Sequence, residues 1–243
     1  MSLPTGPVAL PDAVAGLVRG ADVTPVWQNL LGGVTVRLRG GPDDVDRFLR
    51  WSPTGSAPDV DGEVARLRWA AAWLPVPRVV DAGRTPEGTW LLTEALPGRS
   101  AVDPAWLARP AEAALALGRG LRRLHDALPV EGCPFGWDTD VRSDDRPAAQ
   151  ALLGGRPPDD RRVVCQGDAC APNTLLADDG SVTGYVDLGR LGVADRWADL
   201  APACWSADHN YGPGHADLVC EGYGVTPDRE RLAWYSALWH ADG

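Results

Sequence analysis

The chain changes its periodicity once, and that change constrains its fold more than any other feature. Up to Leu96-Pro97-Gly98 the apolar residues come in short runs and alternate with polar ones, as in Val34-Thr35-Val36-Arg37-Leu38. Beyond it the spacing is helical. Leu117, Leu121, Leu124 and Leu128 recur on one face of an alanine-rich stretch from Pro110 to Leu128. A β-rich part followed by a mainly helical part predicts an α+β architecture of two lobes, with a connector near residues 93–98 and a cleft beside it. The boundary places an N-terminal lobe at 1–95 and a C-terminal lobe at 96–243.

Punctuation along the chain refines this reading. Strands are expected within Thr24–Leu38 on either side of a Leu-Gly-Gly turn, and at Asp46–Trp51, with Phe48 and Arg50 on one face. A helix starts at Asp61-Gly62-Glu63 and runs to about Trp73, where Pro75 and Pro77 stop it. Two strands, Arg78–Ala82 and Thr89–Glu94, flank Pro86-Glu87-Gly88. A polar Pro/Gly-rich connection, Pro129–Asp160, holds one short helix near Ala148–Leu153. Asp178-Asp179-Gly180 signals a hairpin between Leu175-Leu176 and Gly184-Tyr185-Val186-Asp187. Helices separated by Asn210–Gly214 close the chain, and their tryptophans 197, 205, 234 and 239 are expected in the core.

Several function classes are disfavoured. No apolar run approaches the roughly 18 residues of a membrane span, and Met1–Leu17 lacks a basic leader, so a cytoplasmic protein is expected. The formal net charge of −10 argues against nucleic acid and suits solubility or a cationic partner. Cys165 and Cys170 do not have the spacing of a zinc site, and reduced thiols are expected. A monomer is expected.

The densest chemistry lies in Gln166-Gly167-Asp168-Ala169-Cys170-Ala171-Pro172-Asn173 and Val186-Asp187-Leu188-Gly189-Arg190. Folding the predicted hairpin brings Asp168, Asn173 and Asp187 to one end. Singly, each reads as a turn former. Together they offer oxygen ligands for a hard cation such as Mg²⁺ from Asn173 and Asp187, with Asp168 left to accept a proton.

This set, with Gly192-Val193-Ala194-Asp195-Arg196-Trp197-Ala198-Asp199-Leu200-Ala201 after it, resembles the aminoglycoside phosphotransferase family of antibiotic kinases. Leu124-His125-Asp126, Cys133-Pro134-Phe135, Val76–Val80 and Leu92-Thr93-Glu94 resemble it too, and the similarity covers residues 24–239. The resemblance implies a protein-kinase-like fold, ATP and Mg²⁺ as cofactors, and transfer of the γ-phosphoryl group to a hydroxyl of a cationic small molecule, an aminoglycoside. It implies Asp168 as the catalytic base, and Asn173 and Asp187 as metal ligands. Gly32 and Gly33 would lie over the phosphates, and Thr93, Glu94, Ala95 and Leu96 would form the adenine hinge. Glu63 would pair with the phosphate-binding base. Asp199 would brace the catalytic loop. Arg190 is left between phosphate and a substrate-side acid. Asp208 and Asp242 are candidate acceptor contacts, with Asp138, Asp140, Asp144, Asp145 and Glu221 as further acidic residues.

Three departures stand out. The lysine expected on the third strand is Arg50, and Gln166 replaces a histidine. The segment between Pro129 and Val163 is also short for the family. The chain has no lysine and no isoleucine anywhere, which points to GC-rich coding rather than selective loss at position 50. Two alternatives follow: a degenerate kinase-like protein that binds without catalysis, and a kinase for another small hydroxylated acceptor.

Overall fold

The computed structural model describes residues 8, 10–28, 31–41, 44–55, 59–137 and 155–240. The chain divides into two compact units. One comprises Met1–Ala72 and Val76–Leu96, the other Trp73–Pro75 and Pro97–Gly243.

The first unit is a five-stranded antiparallel sheet with the order β1-β2-β3-β5-β4. Its strands are β1 (Asp22–Gln28), β2 (Val34–Arg39), β3 (Arg47–Pro53), β4 (Val79–Thr85) and β5 (Gly88–Glu94). The alternation in β2 buries Val34, Val36 and Leu38 on one face, where they meet Leu49 and Trp51 of β3, Leu92 of β5 and Val14 of the short helix α1 (Asp12–Ala15). Period-two alternation puts Phe48 and Arg50 on the opposite face of β3. Helix α2 (Val60–Ala70) packs on β4 and β5. It is capped by the Asp59 carboxylate, which accepts the Gly62 N–H at 3.1 Å. Val60, Glu63, Val64, Leu67 and Ala70 form its buried face. The helix ends at Ala70, before the prolines that were expected to stop it.

The second unit is mainly helical. Helix α3 (Pro104–Leu107) leads into α4 (Pro110–Ala127), which packs against α6 (His215–Tyr223), while α5 (Trp197–Tyr211) packs against α6 and α7 (Arg229–His240). Their core includes Trp106, Leu117, Leu121, Trp197, Leu200, Tyr223 and Trp234. Contact between α4 and α6 depends on two glycines. A Cβ on Gly118 would lie 2.0 Å from the Val219 carbonyl oxygen, and one on Gly222 would lie 2.3 Å from that of Leu115. Among the described residues no helix is long and apolar enough to cross a membrane.

Small sheets interrupt the helices. Strand β7 (Arg162–Cys165) pairs with β10 (Gly192–Asp195), and β8 (Thr174–Leu176) pairs with both β6 (Arg99–Ser100) and β9 (Val182–Tyr185). The β8–β9 turn is the one signalled by Asp178-Asp179-Gly180, with Gly180 at φ 81°. The helix expected near Ala148–Leu153 lies outside the described residues.

Two tryptophans depart from expectation. Trp197 and Trp234 are buried, but Trp205 is 37% exposed and Trp239 is half-buried. Each has a polar surrounding that helical periodicity alone does not show.

All five cysteines are free thiols. Burial and the Asp199 and Asp195 charges push the Cys165 thiol well up, and burial with the Asp168 charge does the same for Cys170. Cys204 and Cys220 are buried with their sulfurs 3.6 Å apart. Cys133 alone is half-exposed. Iodoacetamide at neutral pH should therefore label one thiol of the folded chain and five after denaturation, read by intact mass. Rapid multiple labelling of folded protein would contradict this burial pattern.

Candidate active site

The site is built on the loop that follows β7. After Cys165 the chain turns sharply at Gly167, whose φ is +95° and whose Cβ, if present, would lie 2.3 Å from the Arg190 carbonyl oxygen. Only glycine tolerates both conditions. Gln166 is fully buried and clamps the turn. Its Oε1 accepts the Asp168 N–H at 2.7 Å, while its Nε2 donates to the carbonyls of Val186 at 2.9 Å and Asp187 at 3.2 Å. One side chain thus ties the loop to the end of the β8–β9 hairpin.

A 3₁₀ turn at Ala171–Asn173 then brings Asn173 back onto Asp168. Its Nδ2 donates to the Asp168 carbonyl at 2.9 Å and to Asp168 Oδ2 at 3.1 Å. The amide orientation follows from these acceptors and directs Oδ1 away from Asp168. The Val186 N–H donates to the Asn173 carbonyl at 3.0 Å, which joins the two chain segments. Asp187 follows at φ 58°, a left-handed conformation rare outside glycine and typical of functional positions. Asp187 is exposed, whereas Asp168 and Asn173 are half-buried. The three residues singled out in the sequence are therefore brought together by hydrogen bonds through Asn173, Val186 and Gln166.

A second layer holds this loop from below. Asp199 in the first turn of α5 is fully buried. It accepts the Gln166 N–H at 2.6 Å and the Gly167 N–H at 2.9 Å, and lies 3.0 Å from His125 Nε2. His125 Nδ1 lies 2.8 Å from the Tyr223 hydroxyl. Burial pushes that phenol up to about 12, so it stays protonated. His125 Nε2 donates to the Asp199 carboxylate, which has no proton to give. His125, Cys165 and Asp199 have potential ligand atoms within 4.8 Å of one another. The Asp199 oxygens are nonetheless taken by N–H donors, and the Cys165 thiol donates to the Asp195 carbonyl at 3.4 Å. The cluster is a hydrogen-bonded brace, the part that the resemblance implies for Asp199.

One contact of Asp168 was not foreseen. The Trp239 indole N–H, in the last turn of α7, donates to Asp168 Oδ1 at 3.1 Å. The Cys170 thiol donates to the same oxygen at 3.3 Å. A terminal tryptophan at helical spacing reads as core, and its indole nitrogen was the signal to weigh.

In the β unit, Arg50 meets Glu63 as fork to carboxylate. Nη1 lies 3.3 Å from Oε1, and Nη2 bonds Oε2 more closely. Glu63 is 3% exposed, so a charged pair of this kind is a built feature rather than a surface contact. Gly32 sits in the β1–β2 turn at φ +86°, with Gly33 buried beside it. At the end of β5 the Glu94 N–H donates to the Arg78 carbonyl and the Ala95 N–H to the Asp46 carbonyl, both at 2.9 Å. Thr93 is buried in the strand, and Leu96 ends the unit.

The remaining candidates are dispersed. Arg190 lines the loop through its backbone at Gly167. The Asp208 carboxylate accepts the Ala216 N–H at 2.8 Å and so caps α6. Asp138, Asp140, Asp144, Asp145 and Asp242 lie outside the described residues.

A carboxylate held beside a carboxamide on a braced loop, in one chain with an Arg–Glu pair between an antiparallel sheet and a helix, is the build of a kinase-like phosphotransferase. The chain belongs to the phosphotransferase enzyme family, whose model matches residues 33–235. It is 36% identical to an aminoglycoside 3'-phosphotransferase of Streptomyces fradiae, over 85% of this chain and 90% of that one. It is 33% identical to a streptomycin 3''-kinase of Streptomyces griseus, over 80% and 84% of the two chains. Among solved structures, an aminoglycoside-3'-phosphotransferase of type VIII superposes with a TM-score of 0.80 at 32% identity, covering 94% of this chain and 96% of that one. An aminoglycoside phosphotransferase of Streptomyces rimosus, in complex with ADP and streptomycin, gives 0.71 at 27% identity, covering 96% and 100%. The fold is thus the α+β, two-lobed kinase-like class.

Proposed function

We propose that this protein is an ATP- and Mg²⁺-dependent kinase that moves the γ-phosphoryl group of ATP to a hydroxyl of an aminoglycoside, and so inactivates the antibiotic. The observation that carries this reading is the Asp168–Asn173 contact on the braced loop, in a chain that matches the family across residues 33–235. The 3'-phosphotransferases at 30–36% identity make the 3'-hydroxyl the first position to test.

The chemistry assigned to the loop is in-line transfer. Asp168 orients the acceptor hydroxyl and takes its proton as the oxygen bonds to the γ-phosphorus, and the bond from that phosphorus to the ADP oxygen breaks. Most of the work is positioning. Asn173 through Oδ1 and Asp187 through its carboxylate are an oxygen pair suited to Mg²⁺, which when bound offsets the charge of the phosphates. Arg50, held by Glu63, is assigned to the ATP phosphates, with the backbone at Gly32 and Gly33. Adenine is assigned to the segment Thr93–Leu96. Since the Glu94 and Ala95 N–H groups have backbone acceptors, the Leu96 N–H is the donor of the segment to offer it. The net charge of −10 favours the approach of a polycationic acceptor.

Coupled detection of ADP release with Mg-ATP and a panel of aminoglycosides tests the reading. Acceptor-dependent turnover well above that of Asp168→Ala supports it. ATP binding without turnover for any acceptor would replace it with the non-catalytic reading, and turnover confined to other alcohols with a kinase of different acceptor.

Arg50 supplies an independent prediction. Arg50→Met should lower kcat/KM for ATP by roughly 10- to 100-fold, the worth of one charge-assisted hydrogen bond. Arg50→Lys should exceed the parent, because a compact ammonium suits a phosphate oxygen better than a planar fork already engaged with Glu63. Parent-like kinetics in Arg50→Met would remove Arg50 from the phosphate site.

A further inference from the structure

We infer that Trp239 is a positioning residue for the base: its indole N–H fixes the Asp168 carboxylate so that proton transfer takes place at Oδ2. This rests on the function proposed above and assigns a role to a residue outside the motif.

The argument starts from lone pairs. An ionised carboxylate has four acceptor positions, two on each oxygen. On Asp168, Oδ1 receives the Trp239 indole at 3.1 Å and the Cys170 thiol at 3.3 Å. Both of its positions are filled. Oδ2 receives only the Asn173 amide at 3.1 Å among the described residues, so it retains one position for an incoming hydroxyl. Burial and the Asp168 charge keep the Cys170 thiol protonated, and it remains a donor at neutral pH. With three donors arrayed around it, the carboxylate has one orientation that satisfies them all. A base held in a fixed orientation transfers protons efficiently only to a hydroxyl presented at its open oxygen.

The indole is itself held. Trp239 lies 5.0 Å from Trp205 and 4.9 Å from His240, ring centre to ring centre, and Trp205 stacks on His209 at 4.8 Å with 11° between the planes. Such ring pairs add to burial energetics and restrict the rotamers of their members. They also explain why Trp205 stays on an exposed part of α5: it is the surface against which Trp239 is set. Trp239 is the penultimate residue of α7, so the last turn of the helix is anchored at a distance from the catalytic loop in sequence and in contact with it in space.

Trp239→Phe retains the ring against Trp205 and removes the N–H. It should lower kcat by about 10-fold or more, the worth of a hydrogen bond to a charged group. The KM for Mg-ATP should stay within about twofold, since the indole contacts the base and no nucleotide group is assigned to it. A kcat within twofold of the parent, in a variant whose melting temperature is preserved, overturns the positioning role. An equal rise in KM for both substrates, with kcat unchanged, overturns it as well. A spectroscopic arm reads the hydrogen bond directly and needs no turnover. In protein labelled with ¹⁵N-tryptophan, the Trp239 indole proton, identified by its loss in Trp239→Phe, should move upfield in Asp168→Ala. No shift overturns the contact. A parent that turns over no acceptor would instead overturn the function proposed above, whatever the indole resonance does.

Discussion

Asp168→Asn should abolish acceptor-dependent ADP release, with a loss of about 10² to 10⁴ in kcat, while the chain keeps its melting temperature within about 2 °C. The substitution preserves the size of the side chain. Its carbonyl oxygen can still accept the Trp239 indole N–H and the Cys170 thiol that meet Oδ1. What it loses is an oxygen able to take a proton. The amide nitrogen then faces the Asn173 amide, and one of the two groups must turn. Because the loop is held mainly through Gln166 and Asp199, this local mismatch leaves the backbone in place. A steady-state rate within tenfold of the parent would remove Asp168 from the role of base.

Asp199→Ala has the opposite character, with a large effect on stability. It removes a fully buried carboxylate and leaves two backbone N–H groups and one imidazole N–H without their acceptor. Loss of one partner from such a network costs about 3–5 kcal/mol. For a chain of this size that lowers the melting temperature by roughly 10 °C. Asp199→Asn should fall between, because it retains one acceptor but sets an amide N–H against a donor. Calorimetry on the three proteins separates these cases. A fall below about 2 °C in Asp199→Ala would mean that water replaces the carboxylate and that the brace is not needed for the fold. The two experiments together distinguish the chemistry of the loop from its support.

Much of this arrangement was legible in the linear chain. The alternation of Val34, Val36 and Leu38 marks the buried face of β2, and the leucine spacing from Leu117 marks α4. The order of Asp168, Asn173 and Asp187 around a hairpin signal places them at one end of it, because a tight turn constrains its neighbours more than distant residues do. Less legible were partners separated by long stretches of chain. His125 and Tyr223 are 98 positions apart and Trp239 and Asp168 are 71 apart. No periodicity links such pairs, and only packing brings them together. The hinge amides show a related effect. The resemblance makes Thr93–Leu96 an adenine hinge, yet the carbonyls of Arg78 and Asp46, each just before a neighbouring strand, accept the Glu94 and Ala95 N–H groups. Tryptophan misleads for a different reason. Its ring area says interior while its N–H requires a partner, and at Trp239 the partner is a carboxylate.

The glycines at the α4–α6 crossing bear on how this gene can drift. Glycine-to-alanine is a single-base change in any glycine codon, and one that usually strengthens a helix. At Gly118 and Gly222 the added methyl group would meet a carbonyl oxygen of the facing helix well inside contact distance. A change one base away, and favourable in most helices, is thus one that this helix pair cannot accept. The constraint at these two codons comes from packing alone.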